Sequence, residues 1–529
     1  SLRHVLRLSV CGAEACRNKY SPGRPAVAEF NSSQVTTKFT GGETITKFIG
    51  GDEISRRQKE ASSNVQAQQN LQLFPWVYGP AAYNFMSTYF IVFMTDCVGL
   101  SSSLSASIMS IALLIEVISG MAVGNISDNC SSKIGKRRPF ILFACLTLPP
   151  IILLLFMPID AGGSFKFIYY LIFSILFRIS FSSYEIPGNA FGAEIASGYD
   201  ERTRLRTVSR VFGILGNTVA YIFPLLMLDA VKDQSSSWRI SAAVIAFLCF
   251  SAWLTTFFLT KPYSVQMKKI RWDPSEGTAS AAPGGNAASA EIHGFQGSRS
   301  SKKHGLLRGI FSNYLQLSKL KPMRILIIYK AAFSCAIALF NIGTVYYMRC
   351  CAGLSNTYIS GVYFVTSAVF LITTPLINKM AIKMGKSSQQ KLFLGSAALI
   401  SLAIFLFFSG SVWATFVYIV TFAATQNSFW QLSTPIFYDI VEVDEFVNGK
   451  RREGDIMSMV SVLGTLTTSI IVQIFGALLD FSGYDPAAAV QAESVVTFLN
   501  LAYVLTPGVC FLIGAAALAR FPLNKKTFA

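Results

Sequence analysis

The chain has 529 residues, 52% hydrophobic and 14% charged, with 45 Lys and Arg against 28 Asp and Glu. Soluble domains carry about a quarter charged residues, so this composition argues against a water-soluble enzyme, and sustained apolar runs of about 20 residues mark a polytopic membrane protein. In a soluble protein the net charge of +17 would point to nucleic acid; in a membrane protein it belongs to cytoplasmic loops, and no nucleic-acid partner is expected.

Residues 1–76 are polar and lack apolar periodicity, and they repeat imperfectly at Thr37–Glu43 and Thr46–Asp52. They read as a disordered cytoplasmic tail. Arg3, His4 and Arg7 interrupt Leu2–Val10, so no signal-peptide core is expected there. Twelve apolar segments follow, at 77–96, 103–123, 139–159, 165–187, 208–228, 240–259, 325–348, 359–378, 391–408, 412–437, 456–479 and 496–519. Each is long enough to cross a bilayer as a helix. The polar stretch 261–321, with its Ala/Gly/Ser-rich part at 278–285, reads as a linker between a six-helix bundle at 77–260 and another at 322–520, with a short tail at 521–529.

Basic residues cluster in alternate loops: Lys133, Lys136, Arg137 and Arg138; Arg202, Arg204 and Arg206; Lys379, Lys383, Lys386 and Lys391; and Lys450, Arg451 and Arg452. The positive-inside rule makes these loops, the linker and both termini cytoplasmic, with the plasma membrane as default location. The loops after the second and eighth segments echo one another, Gly135-Lys136-Arg137-Arg138-Pro139 against Gly385-Lys386. Two matching six-helix halves predict an all-α major facilitator architecture with a midplane substrate site.

An ionisable group inside a bilayer costs at least a few kcal/mol, so each is a candidate functional residue. Glu116 is the single acid of the apolar second segment and suits cation or proton coupling; a protonated or paired packing glutamate is the structural alternative. Arg178, Ser182 and Glu185 fall on one face of the fourth segment. Arg210 enters the fifth segment from the side to which Glu185 lies, so a Glu185–Arg210 pair is reasonable, as a structural bridge or as an anchor for substrate hydroxyls. The tenth segment is unusually polar, with Trp430, Gln431, Thr434 and a break expected at Pro435. Lys330, near the cytoplasmic start of the seventh, is expected to snorkel and takes no role. Histidine chemistry inside the membrane is excluded, since His4, His293 and His304 lie outside every segment. The ten Cys show no ligand spacing, and no metal, cofactor or enzymatic centre is expected.

Thr95-Asp96-Cys97-Val98-Gly99-Leu100, Gly135-Lys136-Arg137-Arg138-Pro139-Phe140, Glu185-Ile186-Pro187 and Asp439–Phe446 followed by Gly449-Lys450-Arg451-Arg452-Glu453-Gly454 resemble the glycoside–pentoside–hexuronide:cation symporters, the melibiose-permease-like branch of the major facilitator superfamily. The resemblance spans roughly 77–520. It implies alternating-access symport of a sugar or glycoside by a protein expected to be a monomer. By the same resemblance Ser182, Glu185, Arg210 and Trp430 line the sugar site, joined here by Gln431 and Thr434, and Asp128, Arg137, Arg138, Asp439, Glu442 and Arg452 belong to cytoplasmic gate motifs. The family's two helix 2 acids fall on Glu116 and Gly120, and its helix 11 lysine on Thr465; its helix 1 acid has no clear match, with Asn84 a candidate neighbour. One carboxylate is a poor sodium cage, so Glu116 fits proton coupling, or no coupling at all, better than sodium coupling. The family also includes lysophospholipid carriers, so an amphiphile substrate stays open, as does a non-transporting scaffold or receptor.

Overall fold

A computed structural model describes residues 79–130, 132, 134–135, 137–195, 199–259, 314–407, 411–448, 452–488 and 490–522. The tail 1–76, most of the linker 261–321 and most of the tail 521–529 lie outside the described residues. Among the described residues six long helices precede residue 260: α1 Gly79–Asp96, α2 Ser102–Asn129, α3 Arg138–Leu155, α4 Gly163–Ile195, α5 Tyr199–Ala230 and α6 Gln234–Leu259. Six follow residue 320: α7 Lys321–Cys350, α8 Asn356–Met384, α9 Lys386–Phe407, α10 Val412–Asn448, α11 Glu453–Phe481 and α12 Glu493–Ala519. A π-helical turn at Leu501–Leu505 interrupts α12.

Ten of these helices are long and apolar enough to cross a membrane. The other two, α1 and α10, owe their lower hydropathy to residues such as Asn84 and Thr88, and Asn427, Ser428 and Gln431. Several helices outrun their apolar segments. With 37 residues, α10 is about 55 Å long at about 1.5 Å per residue, well beyond a hydrocarbon core of about 30 Å. Asp439, Glu442 and Asp444 therefore ride on helix and not on a loop. Pro435 sits inside α10 without ending it, contrary to the break expected there.

The packing pattern repeats with an offset of six helices. In the first half α2 packs on α4, α3 on α4 and α6, and α1 on α5 and α6; in the second α8 packs on α10, α9 on α10 and α12, and α7 on α11 and α12. Across the halves α2 meets α11, α5 meets α8 and α1 meets α7. Small residues let α2 and α11 approach closely. Ser110 Oγ donates to Ser469 O at 2.8 Å and Ser469 Oγ donates back to Ser110 O at 3.0 Å. A Cβ at Gly476 would lie 2.6 Å from Ser102 O, so only glycine fits there.

The turn that ends the first helix of each half is duplicated down to its sequence. Met94-Thr95-Asp96-Cys97-Val98-Gly99-Leu100-Ser101 matches Met348-Arg349-Cys350-Cys351-Ala352-Gly353-Leu354-Ser355 at Met, Cys, Gly, Leu and Ser. Leu100 N donates to Met94 O and Leu354 N to Met348 O, both at 3.0 Å. These six-residue closures require a left-handed residue, supplied by Gly99 at φ 74° and Gly353 at φ 63°.

Substituting Gly476→Leu overpacks the α2–α11 contact, a change that costs about 1–3 kcal/mol. The purified variant is expected to melt at a lower Tm, whereas Gly361→Ala, at a position where a Cβ meets open space, leaves the Tm unlowered.

Candidate functional site

The interior charge in the first half is a pair. Arg178 Nη1 on α4 donates to Glu116 Oε2 on α2 at 2.9 Å. The Arg178 side chain is wholly buried, and its guanidinium lies 4.7 Å from the ring centre of Tyr83 on α1. Tyr83 thus brings a third helix to the charge. An ion pair in this setting removes two isolated charges from the membrane interior, where breaking it by losing one partner is strongly destabilising. Glu116 Oε1 makes no hydrogen bond among the described residues. Ser119, one turn on, lies 3.4 Å from Ser182 Oγ, so Ser182 is buried against α2.

Gly120, where the resemblance implies a second acid, is closed over by α4: a Cβ there would stand 3.2 Å from Ile186 Cδ1. Glu185 lies one turn from Ser182 on the same face of α4 and within electrostatic reach of Glu116 and Arg178. It is exposed and makes no ion pair or hydrogen bond among the described residues. The Arg210 side chain lies outside the described residues, and so do those of Asp128 and Glu453. Asn84 is half-buried on α1.

In the second half Trp430 of α10 is 47% exposed. Gln431 instead turns to α8: its Nε2 donates to Thr374 Oγ1 at 3.2 Å and to Asn427 Oδ1 at 3.1 Å. Asn427 in turn donates to Phe370 O and Thr373 Oγ1, each at 2.9 Å. Gln431 therefore belongs to a network that ties α10 to α8, while Trp430 looks into open space. Thr434 is half-buried. Lys330 does not snorkel. It lies nine residues inside α7, about 13 Å from the helix start, with Nζ 5.1 Å from the ring centre of Phe429 and 5.7 Å from that of Trp430.

At the basic-loop end the described ion pairs run within a half. Arg452 grips the buried Asp444 with both Nε and Nη2, at 2.9 and 2.6 Å. Lys386 Nζ donates to Asp439 Oδ1 at 2.6 Å and Pro435 O at 3.2 Å. Arg137 Nη1 donates to Ser127 Oγ at 2.7 Å, and Arg138 Nη2 to Phe257 O at 2.7 Å. Glu442 is exposed. Tyr314 and Gln316, just before α7, bond to Ser458 and Arg452, fastening that segment to the start of α11.

The opposite end is closed by bonds between the halves, and sequence reading did not single out their residues. Asp480 at the end of α11 accepts the backbone amides of Ser102 and Ser103 at the start of α2, both at 2.7 Å. Its counterpart Asp229, at the end of α5, accepts Thr357 N and Asn356 Nδ2 at the start of α8, also at 2.7 Å. Both use the unsatisfied donors and positive pole of a helix N-terminus. Between them Arg349 Nη1 donates to Asp96 Oδ2 at 3.0 Å, and Tyr484 OH donates to Asp96 Oδ1 at 3.2 Å. The Met-x-x-Cys-x-Gly-Leu-Ser repeat is the sequence signal that points here, since Asp96 and Arg349 sit inside its two copies.

Fold and site together define a membrane transporter. Residues 77–282 and 304–525 match the MFS/sugar transport protein family, and the chain belongs to that family. Among relatives, it is 22% identical to the inner membrane symporter YicJ of Escherichia coli, over 82% of this chain and 86% of that protein. It is 22% identical to the glucuronide carrier protein homolog of Escherichia coli, over 85% and 92%. Of solved structures, the nucleoside transporter NupG superposes with TM-score 0.55 at 12% identity over 87% of this chain and all of that one. A bacterial homolog of the human lysosomal transporter Spinster, inward-facing and unoccupied, gives 0.57 at 13%, over 86% and 96%. These two likenesses show the fold.

Replacing Asp229 and Asp480 together by Asn weakens five charge-assisted bonds between the halves, each worth about 1.5–3 kcal/mol in general. The halves are expected to part at this end, so that Cys97 and Cys350, beside Asp96 and Arg349, react about tenfold faster or more with a membrane-impermeant maleimide.

Proposed function

We propose that the protein is a secondary active symporter that carries a sugar or glycoside together with a proton, working by rocking of the bundle at 77–260 against that at 322–520. Family membership and relatives named as symporters and as a glucuronide carrier support the substrate class. The observation that carries the mechanism is the set of bonds between the halves at one end, from Asp480 to the start of α2 and from Asp229 to the start of α8. That is the arrangement expected of one state of an alternating-access cycle. The basic loops at the other end favour a cytoplasmic position for that end and for both termini.

In this reading Glu185 and Arg210 offer polar contacts to sugar hydroxyls, Trp430 stacks on the ring, and Gln431 and Thr434 border the site, whereas Ser182, buried against α2, is not in reach of substrate. Glu116 takes the coupling proton. One oxygen engages Arg178 and the other is available, which suits a proton better than sodium, an ion that needs several oxygens at once. Protonation would release Arg178, and the freed guanidinium links coupling to the contact of α2 with α4 and α1.

Two measurements test the reading. Glu116→Gln in proteoliposomes is expected to abolish accumulation driven by a pH gradient while counterflow exchange persists; unchanged accumulation refutes the coupling role. If the pair is purely structural, Glu116→Gln instead lowers the Tm, and the double variant Glu116→Gln/Arg178→Gln restores it by removing the buried unpaired charge, a burden of about 3–5 kcal/mol. Separately, Glu185→Ala is expected to reduce uptake of a labelled glycoside at least about tenfold, equivalent to ~1.4 kcal/mol of lost binding, without a change in Tm. Uptake at the wild-type rate would remove Glu185 from the site.

A further inference from the structure

Lys330 is the interior charge that the proposed cycle leaves unused. It lies five residues into the apolar segment that begins at 325, and its side chain turns into the bundle against Phe429, Trp430 and Gly464 rather than back along the helix to the interface, a setting that penalises an ammonium without a partner. Three other cations on the described helices have one: Arg178 holds Glu116, Arg349 holds Asp96 and Lys386 holds Asp439. Lys330 makes no ion pair or hydrogen bond among the described residues. What it has are two aromatic faces, Phe429 at 5.1 Å and Trp430 at 5.7 Å, and cation–π contacts supply only about 0.5–2 kcal/mol.

The surroundings hold this ammonium in place. Phe429 is fixed by stacking on Phe333, with ring centres 3.6 Å apart, so the aromatic wall is rigid. On α11, Gly464 leaves a notch that the lysine fills: a Cβ there would stand 2.9 Å from Lys330 Cε and 3.3 Å from Nζ. The side chain is thus held between α7, α10 and α11, beside a tryptophan that is 47% exposed. Cation and exposed indole share one corner. An indole face beside a positive charge without a counter-ion suits a sugar ring that carries a negative substituent, the ring lying on Trp430 and the anion reaching Nζ.

We infer that Lys330, seated by Gly464 beside Trp430, is the anion-recognising residue of the substrate site, and that the substrate carries a carboxylate, sulfate or phosphate group. This rests on the sugar-transport reading and narrows it. The acid supplies the counter-charge that the described residues do not, and it enters and leaves with the substrate. A neutral sugar would leave the ammonium as it stands, so the corner discriminates for acidic ligands and not merely for shape.

The test uses the full-length protein in proteoliposomes and matched ligands: methyl glucoside, methyl glucuronide, glucose 6-sulfate and glucose 6-phosphate, each competing in counterflow and each assayed by thermal shift. In wild type at least one acidic ligand is expected to bind about tenfold or more tightly than methyl glucoside. Lys330→Gln is expected to erase that preference, weakening the favoured acidic ligand about tenfold or more beyond any change in methyl glucoside, and Lys330→Arg to keep it. The ranking among carboxylate, sulfate and phosphate identifies which anion the corner takes. Equal binding of neutral and acidic ligands to wild type, or a Lys330→Gln variant that weakens both alike, overturns the inference while the sugar reading stands. Binding of none of the four by wild type overturns both.

Discussion

Two carboxylates reach across from one half of the protein to the helix starts of the other. The first turns of α2 and α8 each present backbone amides that their own helices cannot satisfy, and Asp480 and Asp229 accept them at 2.7 Å. Because each acid belongs to the other bundle, the demand of a helix end for acceptors becomes a bond between halves. The bonds exist only where those ends approach, so this one requirement holds the two halves together at that end. The close contact of α2 with α11, the stacking of Tyr221 on Tyr363 at 4.8 Å and the Thr218–Ser367 bond at 2.6 Å lie on the same two cross-half seams.

The distribution of charge follows the same economy. In a medium that penalises isolated ions, the buried Arg178 is matched to Glu116, and the half-buried Arg452 is matched to the buried Asp444. The matched pairs differ in reach. Arg452 and Asp444 are eight residues apart around one turn of chain, and bidentate geometry makes them a fastening. Glu116 and Arg178 join two helices that move with the bundle, beside Tyr83 from a third, and one carboxylate oxygen is left over. Glu185 and Lys330, one in each half, have no such match among the described residues. Those are the positions where a polar or charged substrate has most to offer.

Much of the architecture was legible in the chain because lipid imposes a strict rule: apolar runs of sufficient length must be helices. Twelve segments became twelve helices, and basic loops marked one end. The boundaries were less legible. Hydropathy registers only the part of a helix that sits in lipid, so α4, α5 and α10 extend for several turns beyond their apolar segments. Lys330 was misread for another reason: its spacing put it near the start of the segment, whereas its side chain turns inward to Phe429 and Trp430 instead of back to the interface. The Glu185 neighbourhood was found by its helical spacing, but its relation to Glu116 and Arg178 depends on how α2 packs on α4.

Taken alone, the sequence determined the class of protein, the number of helices, the division by a polar linker and the few ionisable residues that lipid would not tolerate without purpose. Each of those follows from local composition and periodicity. Tertiary structure decided which charges pair, which end of the bundle is closed and which interior cation is left without a counter-ion. Those depend on approach between helices hundreds of residues apart, such as Ser102 with Asp480 or Lys330 with Gly464, and no local spacing encodes the distance between them.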